Sequence, residues 1–216
     1  INYLCPDTID VLKTMDAIEN TGELPEADDH SLITQLEGVD FNSSNFIVLH
    51  QRGSHSPYQK RFPERFRKLV GTQGKRGDTV DSYDNSLVYG DDFFKSLFDF
   101  IEHHATGPVY VVFTSDHGQA LGEQGRGGHC FFHESVYGVP FVFKAFHGEP
   151  AITTKVAGFP EIIRHYDISI LLARLLGFAV PESTPISEKY YVSGLDITYE
   201  NGNWVRITQG HVEELK

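Results

Sequence analysis

Apolar residues along the chain fall into three patterns, each predicting a different element. From Val80 to His104, Tyr83, Leu87, Phe94, Leu97, Phe98 and Ile101 recur at three- and four-residue steps, with Asp84, Asp91, Lys95 and Glu102 between them, which is the period of an amphipathic helix. Glu161 to Leu176 has the same character through Ile162, Ile163, Ile170, Leu171, Leu175 and Leu176. Shorter helices are expected around Ile9 and Leu12 and over Ser31 to Leu36, either side of an acidic turn containing Pro25. Continuous apolar runs at Phe46 to Leu49, Val109 to Phe113 and Val139 to Phe143 are too short for helices and rich in β-branched and aromatic residues, so they predict buried strands. Tyr190 to Thr208 alternates instead, and its Asn201-Gly202 step predicts a C-terminal β-hairpin.

Strand Phe46 to Leu49, helix Val80 to His104 and strand Val109 to Phe113 form a crossover unit, and such units are nearly always right-handed with parallel strands. The expectation is therefore an α/β fold, a mainly parallel sheet flanked by helices. At 216 residues and 40% hydrophobic, the chain is long enough for one sizeable core. With no repeat or linker, residues 1–216 read as a single domain.

Ligands of open parallel sheets gather at the carboxyl ends of the strands, and there the chain places its chemistry. The run Val109 to Phe113 is followed by Thr114-Ser115-Asp116-His117-Gly118. A carboxylate and an imidazole side by side suit a divalent cation, zinc or manganese above all. The tripeptide Asp116-His117-Gly118 admits a second reading, a hydrogen-bonded pair where strand meets loop. Glycines 122, 125, 127 and 128 then allow a loop to fold back and bring His129 beside Asp116 and His117. The run Phe46 to Leu49 likewise leads into a loop carrying Gly53, His55 and Pro57, so His55 is expected at the same sheet edge. His55, Asp116, His117 and His129 are thus expected to converge.

Three stretches together resemble the phosphoethanolamine transferases of the alkaline phosphatase and sulfatase superfamily. Ser115-Asp116-His117-Gly118 with Leu121-Gly122-Glu123 and His129 is similar to that family's metal-site segment. Gly53-Ser54-His55 with Lys60-Arg61-Phe62-Pro63 is similar to its Gly-Ser-His motif, and Tyr83-Asp84-Asn85 to its Tyr-Asp-Asn segment, expected here to open a helix. The resemblance departs at Gln119, where glutamate is usual, and at Ser56, where glycine is common. It implies an alkaline phosphatase/sulfatase-like fold in which Asp116 and His117 bind zinc while His55 and His129 act on the phosphoryl group. It further implies transfer of phosphoethanolamine from a membrane phospholipid donor to a lipopolysaccharide acceptor, lipid A or core sugar, at the periplasmic face of a bacterial inner membrane. The family's metal-binding glutamate and its threonine nucleophile have no matching positions, so the chain is expected to be an N-terminally truncated catalytic domain whose membrane segment lies upstream. Thr21-Gly22-Glu23 sits in a polar run with no strand before it and reads as a surface loop. A sulfatase or phosphodiesterase of the same superfamily is the alternative enzyme, and a relic of the fold without activity the alternative in kind.

Charge narrows the partners. Thirty acidic against eighteen basic residues give a formal charge of −12, which disfavours nucleic acid. Between Tyr58 and Arg76 lies a local basic cluster that could face phosphate or simply solvent. No apolar run reaches the roughly 18 to 20 residues of a membrane span. Cys5 and Cys130 permit one disulfide or two free thiols.

Overall fold

The computed structural model describes residues 29–71, 77–159, 163–180, 189–195, 202–208 and 211–215. The expected helix around Ile9 and Leu12, together with Cys5 and Thr21, lies outside them. Two compact units make up the chain, Ile1–His104 and Ala105–Lys216.

The first unit is organised by one long helix. Helix α1, Ser31–Thr34, continues into a 3-10 turn, Gln35–Gly38, and buries Ile33 and Leu36. Helix α2, Gly77–His104, runs for 28 residues. Its buried stripe is Tyr89, Phe93, Leu97 and Ile101, at steps of four and each no more than 4% exposed. Burying each such side chain contributes about 1.5–3 kcal/mol. His30 locks α1 to this stripe: its ring stacks on Tyr89 at 4.6 Å, meets Phe93 edge-on, and sets Nε2 at 3.1 Å from Asp92.

Between these helices the chain has little regular structure, and side chains hold it in place. Phe62 and Phe66 form a cluster with Tyr89, and Tyr58 meets Tyr83 edge-on. Asn85, 1% exposed, accepts from the Lys68 and Leu69 amides at 2.9 Å each and donates to the Leu69 carbonyl at 2.8 Å. The Tyr83-Asp84-Asn85 segment therefore lies in the second turn of α2 rather than opening it, and its asparagine pairs backbone groups that no strand satisfies. Several nearby cations fold back on their own segment. Arg67 donates to Glu64, and the Arg65 and Lys68 heads lie over the Phe66 ring.

The expected strand at Phe46 to Leu49 does not form. Residues 44–50 form no regular structure, with Phe46 60%, Ile47 40% and Val48 60% exposed. The apolar run records a local preference for extended backbone, but a strand needs a neighbour for its amides and carbonyls, and no described residue supplies one.

In the second unit, strand β1, Val109–Thr114, is followed by β2, Ala120–Leu121, and β3, Gly127–Gly128, then the short helix α3, Glu134–Tyr137, and strand β4, Phe141–Phe146. β1 pairs antiparallel with β4, Val109 opposite Phe146 and Thr114 opposite Phe141. Pro140 has no amide to donate, so β4 begins just after it, two residues later than the apolar run suggested. Helix α4, Pro150–Ala157, carries proline in its first turn, where the missing amide costs nothing. Helix α5, His165–Leu175, falls within the expected span Glu161 to Leu176. Asp167 closes its N-terminus by accepting from the Arg164 amide at 2.9 Å and from the guanidinium at 2.8 and 2.6 Å. The hydrogen bond from the Arg164 side chain is the main reason that the Asp167 carboxyl is held below its ordinary range.

The tail forms a three-stranded antiparallel sheet of β5, Lys189–Leu195, β6, Gly202–Thr208, and β7, His211–Leu215, with Val205 and Ile207 buried. The β5–β6 pairing falls where the hairpin was expected; β7 was not anticipated. Every sheet among the described residues is small and antiparallel, so they do not show the mainly parallel sheet drawn from the crossover rule. That rule presupposed a partner strand at Phe46 to Leu49, and without it there is no crossover unit. No helix among the described residues is long and apolar enough to cross a membrane.

Candidate functional site

The turn after β1 is tightly specified. Asp116 Oδ1 accepts from the His117 amide at 3.0 Å, and Ser115 Oγ donates to the His117 carbonyl at 2.8 Å. The Gly118 amide then donates to the Val136 carbonyl at 2.6 Å, drawing the backbone so close that an added Cβ would stand 2.2 Å from the Ser135 carbonyl oxygen. Only glycine fits there. Beneath the turn, Ala120, Phe131 and Val136 make a small core. From above, His165 at the start of α5 places Nε2 2.8 Å from the Ser115 carbonyl. No local pattern in the sequence announced that brace, because it joins positions fifty apart.

His117 is oriented through its own ring. Nδ1 lies 2.8 Å from the Gly118 carbonyl, which can only accept, so Nδ1 carries a proton and, in the neutral ring, Nε2 carries the lone pair. That nitrogen sits 3.7 Å from Asp116 Oδ2. Two zinc ligands at tetrahedral angles stand about 3.4 Å apart, so the pair has close to the spacing that a cation would bridge. Asp116 is 85% exposed and His117 34%, which leaves the remaining coordination positions open to other donors.

The glycine-rich loop returns as the β2–β3 hairpin, Ala120 opposite Gly128 and Leu121 opposite Gly127. Gly122, Gly125 and Gly128 all have positive φ, and the last delivers His129 with its ring centroid 4.0 Å from that of His117. His129 Nδ1 is 2.8 Å from the sulfur of Cys130, a free and exposed thiol. Asp116, His117 and His129 thus stand together in the second unit. They do not form a complete site: among the described residues no group of three or more His, Cys, Asp or Glu side chains is arranged to hold a metal ion. The residues present fit zinc as half of its shell.

His55 belongs to the first unit, exposed on a loop that turns at Gly53, where φ is +53°. Its Nδ1 is 2.6 Å from the Ser56 carbonyl, so here too Nδ1 is the donor, and in the neutral ring the lone pair is on Nε2.

The sulfatase family's model matches residues 5–168, a span that includes this turn and its returning histidine, and the chain belongs to the sulfatase family. Among curated relatives, it is 33% identical over 126 residues to the phosphatidylethanolamine transferase Mcr-2 of Escherichia coli, covering 52% of this chain and 23% of that protein. It is 31% identical over 171 residues to the phosphoethanolamine transferase EptA of Escherichia coli K12, covering 70% of this chain and 30% of that protein. The soluble domain of the lipooligosaccharide phosphoethanolamine transferase A from Neisseria meningitidis superposes with a TM-score of 0.50 at 26% identity, over 58% of this chain and 43% of that one. The chain therefore spans only about a quarter to a third of the length of these curated relatives.

Proposed function

We propose that this chain is part of a metal-dependent phosphoethanolamine transferase. It moves phosphoethanolamine from a membrane phospholipid to lipid A or a core sugar of lipopolysaccharide, at the periplasmic face of a bacterial inner membrane. The observation that carries the reading is the pair Asp116 and His117, with His117 Nε2 3.7 Å from the carboxylate, in a chain whose relatives are named as such transferases. Asp116 and His117 hold a zinc ion, with manganese the other candidate, and residues 1–216 belong to one catalytic domain. When bound, the metal lowers the pKa of an attacking hydroxyl and neutralises charge on the phosphoryl oxygens.

The attacking group is the threonine hydroxyl that the family resemblance implies and that has no matching position in residues 1–216: it attacks phosphorus, the bond from phosphorus to the diacylglycerol oxygen breaks, and diacylglycerol leaves with the hydroxyl's proton. His129, beside His117, and His55 contact the phosphoryl oxygens and move protons through their Nε2 atoms. In the second half the acceptor's oxygen takes the group and the enzyme hydroxyl is restored.

The test is transfer of label from phosphatidylethanolamine carrying a labelled headgroup, using membranes from cells that express the natural protein or its Asp116→Asn variant. Label in lipid A or core lipopolysaccharide, lost in the variant, supports the reading. Label released as free phosphoethanolamine with none on an acceptor would replace it with a hydrolase of the same family.

A further inference from the structure

The loop bearing His55 is gripped at both ends by side chains to which the sequence assigned no role. At its entry, Asp29 Oδ1 accepts from the Arg52 amide and Oδ2 from the Gly53 amide, both at 2.8 Å, across 23 and 24 positions of sequence. At its exit, Arg61 donates from Nε to the His55 carbonyl at 2.7 Å and from Nη2 to the Ser56 carbonyl at 3.1 Å. The Ser56 carbonyl is also the partner of His55 Nδ1. One oxygen therefore receives both the guanidinium and the imidazole, so the position of Arg61 is coupled to the orientation of the ring. Just beyond, Tyr58 is buried against Tyr83, which anchors the end of the loop to helix α2.

An exposed histidine on a glycine-containing loop would ordinarily sample several rotamers and both tautomers. Here the backbone on either side is pinned by charge-assisted hydrogen bonds, the stronger kind, and the planar guanidinium fixes two successive carbonyls at once. We infer that Arg61 and Asp29 are positioning residues, holding the His55 loop so that its imidazole keeps the proton on Nδ1 and offers Nε2 in one orientation to the phosphoryl group. The inference rests on the proposed part of His55 in phosphoryl transfer.

The experiment uses the protein as cells make it, with Arg61→Met, Arg61→Lys, Asp29→Ala and His55→Asn compared by transfer kinetics and by nitrogen-15 NMR of the His55 ring. In the unaltered protein the ring should give one protonated and one unprotonated nitrogen signal, the protonated one at Nδ1. Arg61→Met should average the two signals and lower kcat about 10- to 100-fold with KM within about twofold, the scale expected for a catalytic group misplaced by about 1 Å. Arg61→Lys, which can reach only one carbonyl, should recover part of both, and Asp29→Ala should act in the direction of Arg61→Met. A His55 ring spectrum unchanged in Arg61→Met and Asp29→Ala would overturn the inference. Transfer undiminished in His55→Asn would instead overturn the part assigned to His55, and the ring spectrum would still report whether Arg61 positions it. If Arg61→Met does not fold, Arg61→Lys carries both readouts.

Discussion

Replacing Gly118 by alanine should cost more than any other single-methyl addition to the turn that carries Asp116 and His117. The new Cβ would stand 2.2 Å from the Ser135 carbonyl oxygen, 3.1 Å from its carbon and 3.3 Å from the Val136 oxygen, all of them backbone atoms that cannot swing aside. Relief requires the turn to retreat by about 1 Å, a strain of the overpacking kind worth about 1–3 kcal/mol. The same retreat stretches the 2.6 Å bond from the Gly118 amide to the Val136 carbonyl, adding about 0.5–1.5 kcal/mol. Together these give about 2–4 kcal/mol, or roughly 5 to 15 °C in the midpoint of thermal unfolding for a chain of this size. Because the Gly118 carbonyl also holds His117 Nδ1, zinc affinity should fall with stability. Gly90→Ala is the matched control: it lies in helix α2 with nothing within 4 Å of its added Cβ, and should stabilise by about 0.5–1 kcal/mol. Differential scanning calorimetry with and without zinc reads both variants. Gly118→Ala melting at or above the unaltered protein would refute the packing argument.

Three further outcomes are expected. Asn85→Ala should destabilise by about 2–3 kcal/mol in urea titration, because it strands the Lys68 and Leu69 amides, and those amides should become the fastest to exchange in their segment. His117→Ala should weaken zinc binding by about 100-fold or more in chelator competition, more than the outer-shell change His165→Ala at about 10-fold. Asp167 has a folded-state pKa below its unfolded one, so its contribution is full above the unfolded value of about 3.9 and fades as pH falls through the folded value. Asp167→Asn should therefore cost about 1 kcal/mol at pH 7, on the scale of a lost helix cap, and the two proteins should converge in stability as pH is lowered past that point.

Local pattern carried some elements well and others not at all. Helix α2 was legible because its apolar residues recur at three- and four-residue steps, although Leu87 of that set is exposed and Tyr89 and Phe93 complete the buried stripe; β1 was legible because five β-branched or aromatic residues leave few alternatives. Phe46 to Leu49 looked equally good and failed, since the missing ingredient was a neighbouring strand, which no local window records. Helix α4 passed unseen because Ile152, Thr153, Thr154 and Val156 are β-branched and argue for a strand, while Pro150 and the turn before it set the helix. Asp116, His117 and His129, which the structure brings together, could be picked out by residue type and by family resemblance, as His55 was in the first unit. Asp29 and His165 could not, and Arg61, though inside a stretch that carries the resemblance, gave no sign of its role: each acts on a backbone group far away or on a carbonyl that has no letter of its own in the sequence.

The β2–β3 hairpin has a consequence for which changes in length the protein can accept. Ala120 pairs with Gly128 and Leu121 with Gly127, so residues 122–126 form a span closed at both ends by the ladder. Adding or removing one residue while keeping Ala120 and Leu121 in place would shift the returning strand by one position, and such a shift turns every side chain to the opposite face. His129 would then point away from His117. Surface loops elsewhere in proteins absorb insertions easily, but here the number of residues, more than their identity, sets where the second histidine arrives. A library of this segment that varies sequence at fixed length should retain the His117–His129 pair, and one that varies length by single residues should lose it.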